Sequence, residues 1–142
     1  MKLRLFMYLG LLCGGLYSCN DDPTPLPTSK NFITKYQNPV SICADKYLRD
    51  GDKFTIADKE IKFILTPGHT QGSGCYYIAE DEVLFSGDTL FHQSRGRTDF
   101  PGGSEAAIIR SIKEKLLVLP GETTVYPGHM DMTTIDNEKV YY

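Results

Sequence analysis

No two of the four cysteines stand in a C-x-x-C pair. That spacing would have announced a zinc ribbon or a thioredoxin-type motif, and its absence excludes both. Nor is the chain short and cysteine-dense, so a disulfide scaffold is not indicated; Cys43 and Cys75 read as small buried apolar residues. There is no stripe of lysine and arginine, and the net charge is only -3. A nucleic-acid partner is therefore not expected. Histidine is scarce, with three residues, and none precedes His69. The longest apolar run, Leu5 to Leu16, is too short for a confident transmembrane helix.

What is present suits one folded domain. The chain has 142 residues, 41% of them hydrophobic, enough for a core and against disorder. Residues 1–30 read as an apolar N-terminal segment followed by a proline-rich linker. Lys2 and Arg4, the apolar stretch and Leu16-Tyr17-Ser18-Cys19 resemble a signal peptide with a lipoprotein-type cleavage site. Two readings stay open. In one the segment is the displaced start of a truncated cytoplasmic protein; in the other the chain is anchored to a membrane through Cys19.

Residues 31–142 read as a partial domain. Period-two patterning and turn residues predict strands at Lys53 to Ala57, Glu60 to Thr66, Gly74 to Ala79, Val83 to Ser86 and Thr123 to Tyr126. Ile64 breaks the alternation of the second strand, as burial on one face and partly on the other would allow. Ser104 to Leu117 is predicted as one helix, capped by Ser104, with an apolar stripe at Ile108, Ile109, Ile112, Leu116 and Leu117. Leu90 to Gly103 reads as a long loop, functional or mobile, and Thr133-Thr134 as the cap of a terminal helix.

Two tripeptides, Pro67-Gly68-His69 and Pro127-Gly128-His129, each close an apolar strand, and Ser86-Gly87-Asp88 closes a third. Proline and glycine fix a sharp turn there. The following side chain is aimed from a rigid strand end, the preorganisation a metal site needs. His69, Asp88 and His129 are accordingly the candidate ligands. Imidazole and carboxylate suit zinc, iron or manganese. His92, in the long loop, reads as a solvent-facing histidine.

The segments Thr66-Pro67-Gly68-His69-Thr70, Leu84 to Phe91 around Ser86-Gly87-Asp88-Thr89, Gly96-Arg97-Thr98-Asp99 and Val125 to His129 occur in that order. Together they resemble the metallo-β-lactamase superfamily, and within it the glyoxalase II-like hydrolases. The resemblance implies an α/β fold, here the C-terminal half of a four-layer αβ/βα sandwich. It implies a zinc-dependent hydrolase (iron or manganese being the alternatives) acting on a small thioester or related carbonyl substrate. By the same resemblance His69 binds a first metal, His129 a second, and Asp88 bridges the two. Arg97 and Asp99 match a segment read either as a loop held by an ion pair or as substrate-binding. The H-x-H-x-D-H motif of the family's N-terminal half, which supplies further ligands to both metals, is absent. The chain is therefore expected to be inactive alone, a half-domain whose uncovered face permits self-association.

Overall fold

The computed structural model describes residues 47–142. The N-terminal segment, Cys13, Cys19 and Cys43 lie outside the described residues. Six strands form one sheet: β1 (Lys53–Ile56), β2 (Lys59–Leu65), β3 (Gly74–Ile78), β4 (Val83–Gly87), β7 (Thr124–Pro127) and β8 (Thr133–Thr134), in the spatial order β1-β2-β3-β4-β7-β8. The first four make an antiparallel meander. β7 then joins β4 in parallel, with Leu84 opposite Val125, and β8 returns antiparallel to β7. A parallel neighbour needs a crossover connection. Here it carries a small hairpin, β5 (Leu90–Phe91) with β6 (Ser94–Arg95), and the helix α1 (Glu105–Ser111). A short helix, α2 (Ile135–Lys139), follows β8.

The sheet is buried on both faces, and the alternation along each strand sorts side chains between two clusters. Ile64, Cys75, Tyr77, Leu84 and Val125 point to the face covered by Ile108, Ile112 and Leu116. Ile61, Phe63, Tyr76 and Ile78 form the second cluster. Ile64 breaks the pattern of β2 because it feeds the first cluster while Ile61 and Phe63 feed the second. All four residues of that second cluster are at most 8% exposed, and the partly buried Leu48, Phe54, Ile56, Leu65 and Phe85 pack around them. Each such fully buried side chain stabilises by about 1.5–3 kcal/mol.

The helix departs from expectation in one respect. Ser104 caps α1, its hydroxyl accepting from the Ala107 amide at 3.3 Å, but α1 stops at Ser111. Ile112–Leu116 is a π-helical turn, closed by the Leu117 amide donating to the Ile112 carbonyl at 2.9 Å. Residues four apart advance slightly more than one turn in an α-helix and slightly less in the wider π turn. The switch keeps Ile108, Ile112 and Leu116, all fully buried, in line over the sheet. The long loop also differs, since it contains the β5–β6 hairpin. Thr133 and Thr134 form a short strand as well as the α2 cap, where the Thr134 hydroxyl accepts from the Asn137 amide at 3.3 Å.

Candidate metal centre

Three chain turns bring the histidines and the aspartate together. The first follows β2. Gly68 has φ +145, and a Cβ there would collide with the backbone of Ile108, so glycine lets α1 lie directly on the turn. The turn is fastened to that helix by Ser104 N–H donating to the Gly68 carbonyl at 2.8 Å and Ser111 Oγ donating to the Pro67 carbonyl at 2.9 Å. His69 emerges next. The second turn ends β4, where Gly87 has φ +52 and Asp88 follows. The third ends β7. The parallel register sets Gly87 opposite Pro127, and Gly128 N–H donates to the Gly87 carbonyl at 2.8 Å. Asp88 and His129 therefore leave neighbouring strand ends side by side.

The first two turns are also joined through the core. Thr66 and Thr89 are 0% and 1% exposed, and their hydroxyl oxygens lie 2.8 Å apart. Sequence reasoning missed this pair, although both threonines sit inside the quoted motifs. A hydroxyl buried beside a site turn needs a partner, and the other motif threonine was the available one.

His69 Nε2 lies 3.6 Å from Asp88 Oδ2, and His129 Nε2 lies 3.3 Å from Asp88 Oδ1. Thus the two sequence-selected histidines converge on the carboxylate of the third selected residue. His69 is mostly shielded and His129 open, with side-chain exposures of 17% and 73%. The tautomer of His69 follows from its other nitrogen. Nδ1 is 2.7 Å from the Arg97 carbonyl, which can only accept, so Nδ1 carries the proton. In the neutral ring Nε2 then turns a lone pair toward Asp88. Asp88 Oδ1 is itself buried without a hydrogen-bond partner. Lone pairs facing a carboxylate repel unless a cation stands between them. The arrangement suits a metal ion, and a carbonyl partner behind a ligating histidine is the usual second layer of such sites. The donors nonetheless come in pairs around Asp88: among the described residues no three His, Cys, Asp or Glu side chains gather in a way that could hold one ion.

Arg97 and Asp99 do not join this group through their side chains. They pair with each other, Arg97 Nε donating to Asp99 Oδ1 at 2.5 Å and a second guanidinium nitrogen donating to Oδ2. The Arg97 hydrogen bond, helped by the charge itself, lowers the Asp99 carboxyl to about 2. Phe100 stands edge-on to His69 with ring centroids 5.3 Å apart, and Phe91 is similarly placed 6.1 Å from His129. His92 differs from its solvent-facing expectation. It is half-buried, its Nδ1 is buried without a partner, and it lines a shallow cavity with Gln93 and Glu138.

Comparison with known proteins agrees with this architecture. An uncharacterized protein of Mycobacterium leprae is 50% identical over 92 residues, 64% of this chain and 42% of that protein. The hydroxyacylglutathione hydrolase of Brucella ovis is 44% identical over 85 residues, 60% of this chain and 32% of the enzyme. The chain thus spans less than half the length of these curated relatives. Among solved structures, the BLEG-1 B3 metallo-beta-lactamase superposes with a TM-score of 0.69 at 41% identity, covering 76% of this chain and 52% of that one. ETHE1 from Myxococcus xanthus gives 0.66 at 36% identity, with 70% and 45% covered. A protein crystallised in a di-iron-bound form gives 0.62 at 37% identity, with 71% and 48% covered. The family model of the metallo-beta-lactamase superfamily matches residues 22–129, most of the chain, and the chain belongs to that superfamily.

Proposed function

We propose that His69, Asp88 and His129 are metal ligands, with Asp88 shared between two ions, in a hydrolase module for acyl thioesters. The observation that carries this reading is the convergence of both Nε2 atoms on the two oxygens of Asp88. Zinc is the expected ion, with iron and manganese as alternatives suited to the same donors. When bound, such ions supply Lewis acidity toward a carbonyl and a water-derived nucleophile at neutral pH. The protein's own contribution is placement. The Arg97 carbonyl sets the His69 tautomer, the paired glycines set the spacing of Asp88 and His129, and Phe100 packs edge-on against the shielded His69 while Phe91 does the same beside the open His129. The kinship with a hydroxyacylglutathione hydrolase supports a thioester as substrate.

Each ion of such a pair would meet two donors from the described residues, whereas catalytic zinc keeps three protein ligands. The chain by itself is therefore a weak metal binder with little or no thioester turnover, and the missing donors must come from other residues or a second chain. The test has two arms. Zinc is titrated calorimetrically into the full chain and into Asp88→Asn, and hydrolysis of a 2-hydroxyacyl glutathione thioester is followed with zinc in excess. Weak zinc binding that Asp88→Asn abolishes supports the ligand reading. Binding unchanged by Asp88→Asn would overturn it. Robust turnover that vanishes in His129→Ala would overturn the inactivity of the lone chain and leave the ligands standing.

A further inference from the structure

The Arg97 carbonyl decides which nitrogen of His69 faces Asp88, yet residue 97 belongs to no strand or helix; β6 ends at Arg95. Its upstream anchor is weak, the Gly96 amide reaching the Thr89 carbonyl at only 3.4 Å. The downstream side is much better held. The Arg97 guanidinium grips Asp99 with two nitrogens and lies 4.5 Å over the centre of the Phe100 ring. That same ring stands edge-on to His69. Phe100 is fixed in turn through its carbonyl, which accepts from Gly103 N–H at 2.8 Å.

These contacts close a loop: imidazole to carbonyl, guanidinium to carboxylate and ring, ring back to imidazole. We propose that Arg97, Asp99 and Phe100 form a clasp that positions His69, holding the residue 97 carbonyl on Nδ1 so that Nε2 stays an unprotonated donor. The clasp rests on the metal reading for its purpose, though not for its geometry. The ion pair is open to water, with side-chain exposures of 64% and 63%, and exposed pairs add little to global stability. Its role is local, restricting the backbone of residues 97–100 beside the imidazole. Arginine is required for it, because lysine offers neither the two-nitrogen fork nor a plane to lie on the ring.

The role is read in the metal-free full chain by long-range proton–nitrogen correlation of its histidines, at a pH where they are neutral. The wild type should show His69 protonated on Nδ1. Asp99→Ala and Arg97→Lys should shift it toward the Nε2–H form, whereas Phe100→Tyr, which keeps the ring, should not. Zinc affinity should fall on the order of tenfold in the first two variants, the low end for removal of a ligand's support, with melting temperature almost unchanged. An unaltered His69 tautomer in both variants would overturn the proposal. A tautomer shift in a chain that binds no zinc would leave the clasp intact and sink the metal reading instead.

Discussion

The buried hydroxyl pair between Thr66 and Thr89 offers a test of how the first two site turns are coupled. Replacing Thr66 with valine removes a hydroxyl without altering shape much. It leaves Thr89 Oγ1, in a residue 1% exposed, without its partner at 2.8 Å. An orphaned buried hydroxyl costs about 1–3 kcal/mol. Thr89→Val orphans the Thr66 hydroxyl less completely, because Cys75 Sγ remains 3.4 Å away, so its cost should sit near 1 kcal/mol, the low end of that range. The double variant places two methyls in contact and orphans nothing. It should therefore be no worse than Thr66→Val alone, a non-additivity of about 1 kcal/mol or more, within the range for residues in contact. In chemical unfolding the midpoint should drop for each single variant at constant m-value. In a thermal scan, 1 kcal/mol is about 3–5 °C for a chain of this size. Strictly additive losses would refute the claim that the two hydroxyls depend on each other.

Gly68→Ala combines a positive φ with a collision against the Ile108 backbone. It should cost at least about 1–3 kcal/mol, the range for overpacking, seen as a lower denaturant midpoint; a neutral effect would mean that α1 does not rest on this turn. Asp50 gives a pH signature. Burial pushes its carboxyl up, but the Lys115 ammonium at 2.6 Å and the Leu65 amide at 2.8 Å outweigh that, and the net shift is downward. Its stabilisation is thus present above the ordinary aspartate value of about 3.9 and is lost as pH falls through the lowered one. Asp50→Asn should flatten the stability–pH curve in that acid window, and an unchanged slope would count against the pairing.

The strands were legible because period-two alternation and glycine-rich turns mark them directly, and Ile64 signalled that burial reaches part of the second face of its strand. The convergence of His69, Asp88 and His129 was legible because each follows a strand end beside a glycine, and neighbouring strand ends of one sheet lie close together. What stayed hidden depends on contacts distant in sequence or on cumulative geometry. The π turn at Ile112 arises from aligning three apolar residues over a sheet the local sequence does not specify. The β5–β6 hairpin is two residues per strand, too short for any periodicity. The tautomer of His69 depends on a backbone carbonyl, and every residue has one.

The parallel pairing of β4 with β7 has a consequence for the order in which this protein acquires its chemistry. The β1–β4 meander is made of near neighbours in sequence and closes small loops, whereas β7 can dock only after the whole crossover has been gathered, a slower and entropically dearer event. Asp88 belongs to the early part and His129 to the late one. A half-folded chain can present His69 and Asp88 together, but it cannot present His129 beside them. The two-histidine arrangement is thus a marker of completed folding, and any ligand that needs both imidazoles is invisible to every earlier species and stabilises only the finished one.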